Sequence, residues 1–182
     1  MRAFIWGLIL GALAVPAAGY MYLAGGYAPV ATSDPAMPFE KKLAHKALNA
    51  RIAKEMPKSV PIQGDEANLL AGAAIYRDHC AVCHGMPGQP KTPIATGMFP
   101  PPPKLMEGKG VTDDEPGESY WKVANGIRLT GMPGFHASLS ETQMWQVSLL
   151  VAEADKLPKA VVDALAAVPA TSTVQQGAAK RK

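Results

Sequence analysis

The sequence predicts an all-α fold: a few short helices gathered around the pentapeptide Cys80-Ala81-Val82-Cys83-His84, behind an apolar leader. Three observations carry this. The segments at 65–79, 115–125 and 140–154 place apolar residues at helical spacing beside helix start or stop signals. No βαβ pattern flanks the pentapeptide. The 31 residues from Ala3 to Ser33 are uncharged, enough to cross an apolar bilayer core once.

The pentapeptide is C-x-x-C-H, the pattern by which haem is attached to a polypeptide. Two intervening residues make a tight turn that presents both sulfurs to one macrocycle. The adjoining His84 then offers a ring nitrogen to the iron. The chain has 2 cysteines, both in this motif, so a four-cysteine zinc or iron–sulfur site is excluded and no thiol remains for a structural disulfide. A thioredoxin-like redox pair would want a βαβ context. A zinc site would want further ligands at metal spacing, and His45, His79 and His136 form no such pattern.

Taken in order, residues 1–33 read as a transmembrane anchor or signal peptide. Arg2 is the only charged side chain before Asp34. Phe4, Ile5, Trp6, Leu8, Ile9, Leu10, Leu13 and Val15 suit a membrane core, and Tyr20, Tyr22 and Tyr27 suit its far interface. Positive charge at the extreme N-terminus keeps that end in the cytoplasm and exports the rest. A cleaved signal peptide is the rival, with a cut after Ala12-Leu13-Ala14 or Val15-Pro16-Ala17. The apolar run outlasts an ordinary signal core, which favours the anchor. Both readings put the pentapeptide outside the cytoplasm, where covalent haem attachment takes place.

Residues 34–62 read as a basic helical stalk or linker. Asp34-Pro35-Ala36-Met37-Pro38 is a breaker, and 39–56 is a helix with a narrow apolar face, read as solvated, with His45 on its surface. Residues 39–58 carry 6 Lys/Arg against 2 Asp/Glu, whereas 60–160 carry 8 against 11. A mildly acidic domain therefore follows a basic stalk. Nucleic-acid binding is a poor reading of such a domain, and a basic patch on a partner would speed encounter with it.

Residues 63–157 form the predicted haem domain. Asp65 caps a helix to about His79, with Leu69, Ala73 and Tyr76 on the side that carries Gly72. A mid-helix glycine costs about 1 kcal/mol against alanine, so a second helix is expected to cross there. Ser140-x-x-Gln143 is a capping box, with Leu139 and Met144 as a hydrophobic staple, and it opens that second helix, which carries Trp145. Between them, 115–125 reads as a third helix with Tyr120, Val123 and Ala124 inward, and with Trp121 either against the porphyrin or, the favoured reading, as a core filler. The proline-rich loop through Pro100–Pro103 reads as a wall offering a carbonyl to the second nitrogen of His84. Arg128 reads as solvated. Residues 158–182 read as a short helix and a disordered tail.

Gly72-x-x-x-Tyr76-x-x-His79-Cys80-x-x-Cys83-His84-Gly85, then Gly131-Met132-Pro133-Gly134-Phe135, then Leu139-Ser140 opening a helix with Trp145, resembles a class I cytochrome c. More narrowly, it is similar to bacterial single-haem cytochrome c domains that occur alone or as modules of oxidoreductase complexes. The likeness covers about Asp65 to Leu157. It implies a cytochrome c-like fold around one covalent haem c, thioether-bound by Cys80 and Cys83, with His84 and Met132 as axial iron ligands. It further implies electron transfer rather than catalysis, with redox proteins as donor and acceptor and no small-molecule substrate. The expected location is a bacterial cell membrane with the haem domain on the periplasmic side, or the periplasm itself after leader cleavage.

By themselves the residues leave the sixth ligand open. Among 9 methionines, Met132 lies in a glycine- and proline-rich loop between His84 and the closing helix. Met86 is close to His84 in sequence, Met98 and Met106 lack the glycine frame, and Met144 reads as core. His136 would give a bis-histidine iron. Two alternatives to a free electron carrier stand: a haem enzyme or sensor with an open sixth position, and a fixed subunit of a membrane oxidoreductase complex.

Overall fold

The computed structural model describes residues 1–107, 112 and 114–167, and every regular element among them is helical, as the sequence predicts. The tail expected to be disordered lies outside the described residues. The chain divides into two compact units, one from Met1 to His45 and one beginning at Lys46.

In the first unit, α1 (Arg2–Ala24) runs for 23 residues with no side chain buried. At 1.5 Å per residue it is about 35 Å long, enough for a hydrocarbon core of about 30 Å. Its length and composition are those of a membrane anchor or a signal sequence. Pro16 sits inside it. Beyond it, the Asp34 carboxylate accepts the N–H groups of Val30 and Ala31, each at 2.9 Å, and closes a turn ahead of Pro35. The helix α2 (Glu40–Glu55) begins in this unit, where the Glu40 carboxylate accepts the Met37 N–H at 2.8 Å.

The second unit differs from the expected solvated stalk at its start. Ile52 is 2% exposed. Glu55 pairs with Arg51 at 2.6 Å and accepts the Trp121 indole N–H at 3.2 Å. Trp121 is thus a half-buried residue tied to α2 and not a core filler, because its polar N–H needs an acceptor and Glu55 supplies one.

The helix α3 (Glu66–Ile75) starts where the Asp65 side chain accepts the Asn68 N–H at 2.9 Å. It runs into a π turn (Tyr76–Cys80) and then α4 (Ala81–His84). After α5 (Pro93–Thr96) come α6 (Pro116–Asn125), α7 (Glu141–Ala152) and α8 (Lys159–Ala166). The capping box forms as expected: Ser140 Oγ accepts the Gln143 N–H at 3.2 Å, and Gln143 Oε1 accepts the Ser140 N–H at 2.8 Å.

The core lies where α3 packs on α7 and α8, with α6 on the other side of α7. Leu69, Ala73 and Tyr76 meet Val147, Leu150 and Val151 there. Trp145 is buried and stacks on Tyr120 of α6, centroids 4.2 Å apart. Val161 and Leu165, one turn apart on α8, are buried in the same cluster, and Arg77 donates to the Ala164 carbonyl at 3.0 Å. The short helix expected after residue 158 is present as α8, and its i, i+4 apolar pair is buried by docking.

The predicted crossing occurs at Gly72. A Cβ there would overlap the backbone carbonyl of Gln146, with Leu150 behind it. At an open helix site, Gly→Ala would stabilise by about 1 kcal/mol. Here Gly72→Ala is expected to destabilise by about 1–3 kcal/mol, since helix backbone cannot yield as a side-chain tip can. Denaturant unfolding of the haem-loaded protein reads the sign directly.

Candidate haem site

Cys80 ends the π turn, in which the Ala81 N–H donates to the Tyr76 carbonyl five residues back. The turn holds one residue more than an α-helical turn, and α4, with Cys83 and His84, follows it directly. All three are half-buried. Burial, with Cys83 adding a smaller effect, pushes the Cys80 thiol up to about 12. Tyr76 is fully buried, and its hydroxyl donates to the Gly85 carbonyl at 2.7 Å, clamping the end of α4 to the base of the π turn.

The proline-rich wall does what the sequence suggests, and the residue is Pro103. The His84 Nδ1 lies 2.8 Å from the Pro103 carbonyl. A carbonyl only accepts, so Nδ1 carries the proton and Nε2 keeps its lone pair for a metal. Burial holds the imidazole below the usual histidine range, partly offset by this hydrogen bond. Two further ties were not legible in the motif. Thr92 caps α5 through the Ala95 N–H at 3.0 Å and donates to the Val82 carbonyl at 2.6 Å, inside C-x-x-C-H itself. Glu107 accepts the Gly88 N–H at 2.9 Å and pairs with Lys104 at 2.7 Å.

Met132 lies half-buried in the connection from α6 to α7. That loop satisfies the end of α6: Phe135 N–H donates to the Val123 carbonyl at 2.9 Å, and His136 N–H to the Ala124 carbonyl at 3.3 Å. The Ile127 N–H donates to the Met132 carbonyl at 3.1 Å. Gly126, at φ 67°, and Gly134 let the two stretches of backbone touch; a Cβ at Gly126 would lie 2.5 Å from the Gly134 nitrogen. Arg128 is exposed, in keeping with a solvated arginine.

Two contacts join the loop to the cysteine segment and its wall. The Phe135 ring meets the His79 ring edge-on at 6.0 Å. The Met98 side chain fills the space a Cβ on Gly131 would take. The other candidate ligands sit elsewhere. Met144 is buried in the core, Met86 and Met106 pack against it, and His136 is exposed with Nδ1 3.1 Å from the Ala124 carbonyl.

This donor set fits a haem: two thiols three residues apart at a helix end, and an imidazole whose Nδ1 is already committed. Among the described residues there is no group of three or more His, Cys, Asp or Glu that could hold a bare metal ion.

Comparison with known proteins found likenesses to a family and to a solved structure. The family model for cytochrome c oxidase, cbb3-type, subunit III, matches residues 67–149. A chain of the solved Kuenenia stuttgartiensis reducing HAO-like protein complex Kustc0457/Kustc0458 is 28% identical, with a TM-score of 0.46. The likeness covers 53% of this chain and 47% of that one, so this chain spans about half of that chain's length. No curated protein matches. Residues 67–149 form a c-type cytochrome domain. Such a domain implies electron transfer through a haem.

Removing the Tyr76 hydroxyl isolates the Gly85 carbonyl at the foot of the site. Tyr76→Phe is expected to cost about 1–3 kcal/mol of stability, read by denaturant unfolding followed in the haem absorption.

Proposed function

We propose that this protein is a membrane-tethered electron carrier with a single haem c, thioether-linked to Cys80 and Cys83 and ligated by His84 and Met132. The hydrogen bond from His84 Nδ1 to the Pro103 carbonyl carries this reading. It orients the ring, frees Nε2 for iron, and makes the imidazole a stronger donor. Met132 is favoured for the other face because the remaining methionine candidates have other places: three against the core and Met98 on Gly131.

The haem supplies the one-electron chemistry. The chain's residues would hold it: Cys80 and Cys83 through their sulfurs, and His84 and Met132 through the atoms they offer to iron. The Pro103 carbonyl fixes the His84 proton, and the α6–α7 loop, stapled to the α6 carbonyls, presents Met132. With His84 and Met132 both bound, iron would have no place for a substrate, which would separate a carrier from a haem enzyme or sensor. A histidine–methionine pair also raises the potential relative to more electron-donating ligands. With α1 as the tether, the haem domain lies on the periplasmic side. The matched family is described as an oxidase subunit, so a fixed place in a membrane oxidoreductase complex is the finer alternative to a free shuttle. Co-purification from detergent-solubilised membranes decides between them.

Mass spectrometry of the denatured protein should show one haem retained on the chain. Ferric wild type should show a sulfur-to-iron charge-transfer band, absent in Met132→Ala, and the ferrous variant alone should bind carbon monoxide at neutral pH. Carbon monoxide binding by ferrous wild type would instead establish an open sixth position. In cell fractions, an uncleaved α1 should keep the protein in membranes washed with alkaline carbonate.

A further inference from the structure

The residues just before Met132 form a turn with an unfavourable conformation built into it. Leu129 has φ 61°, the left-handed region in which a leucine Cβ crowds the backbone. Its side chain is 93% exposed, so burial within this chain does not offset the strain. The turn is closed by its neighbour. Thr130 N–H donates to the Ile127 carbonyl at 3.2 Å, and Thr130 Oγ1 donates to the same carbonyl at 2.7 Å. That hydroxyl oxygen also accepts the Met132 N–H at 3.1 Å.

One hydroxyl thus does two things: it shuts the strained turn and grips the amide of Met132. The Met132 carbonyl is held separately by the Ile127 N–H at 3.1 Å. Both polar backbone groups of Met132 are therefore anchored to the same short turn. Gly131, which lies between Thr130 and Met132, has no side chain with which to stiffen the link, and Met98 occupies that space. Without the Thr130 hydroxyl, the turn can relax at Leu129 and the Met132 amide loses its protein acceptor.

We propose that Thr130 is a positioning residue, whose hydroxyl holds Met132 in place as the sixth iron ligand. This rests on the ligand reading above and names the side chain that enforces it. Strain retained beside a functional group because its surroundings over-determine it is a recognised form of preorganisation.

Imidazole, which competes with a weak axial ligand for ferric iron, tests the proposal on the purified holoprotein. Thr130→Val keeps the shape and removes the hydroxyl, and it is expected to bind imidazole about tenfold more tightly than wild type, about 1.4 kcal/mol. Its charge-transfer band should weaken as well. Thr130→Ser keeps the hydroxyl and should stay within about twofold of wild type. Thr130→Ala gives the same comparison if valine impairs folding. Equal imidazole affinity in the hydroxyl-free and wild-type proteins overturns the proposal, even if the variants are less stable, since that is a purely structural role. Absence of the sulfur band from wild type removes the ligand reading itself, and the proposal falls with it.

Discussion

Where α3 crosses α7, the missing side chain at Gly72 lets one helix come down onto the Gln146 carbonyl and Leu150 of the other. The rest of the second unit is built from that contact. It sets the depth at which Leu69, Ala73 and Tyr76 meet Val147 and Leu150, and it brings Trp145 round to stack on Tyr120. The stack fixes α6, and α6 in turn carries the loop with Met132. A single close approach thereby relates the two ends of the site, which lie far apart in the sequence. Close-packed interiors transmit such constraints because they have little room to absorb a shift.

Within that frame the site is assembled mainly from backbone groups that a helix or turn leaves without a partner. The carbonyls of Val123 and Ala124, at the end of α6, take the N–H groups of Phe135 and His136. Gly85, just past α4, has its carbonyl covered by the Tyr76 hydroxyl, and the Val82 carbonyl is met by Thr92. Pro103 places its carbonyl on His84. Each of these bonds is individually modest. Together they hold a cysteine-bearing turn, a wall and the Met132 loop on three separate elements. The chemistry is thus supported by helix termini, while the helix faces make the core.

Much of the fold was legible because its signals are local. Asp65 and the Ser140–Gln143 pair announce helix starts through hydrogen bonds spanning three residues, and both form. Gly72 announced the crossing because a glycine among apolar residues in a helix needs a packing reason. C-x-x-C-H is legible for the same cause, since its chemistry is contained in five consecutive residues. The signals that failed were longer in range. Trp121 looked like core because aromatic residues usually are, yet its indole N–H reaches Glu55, 66 residues earlier. The docking of Val161 and Leu165 was not announced, because nothing near them in sequence says what they pack against. The π turn at Tyr76–Cys80 has no composition of its own; it arises where the backbone shifts between two packed segments.

The sequence by itself determined the helical class, the apolar leader, the cysteine–histidine motif and the glycine-framed methionine, because each is a pattern of neighbours along one chain. Only the tertiary structure decided that Pro103 supplies the carbonyl for His84 and that α8 and the end of α2 belong to the domain. It also decided that Thr130 holds the Met132 amide while the other methionine candidates are placed elsewhere. These are questions of which groups meet across a core. Their answers depend on the summed geometry of helix packing, and no local pattern encodes that.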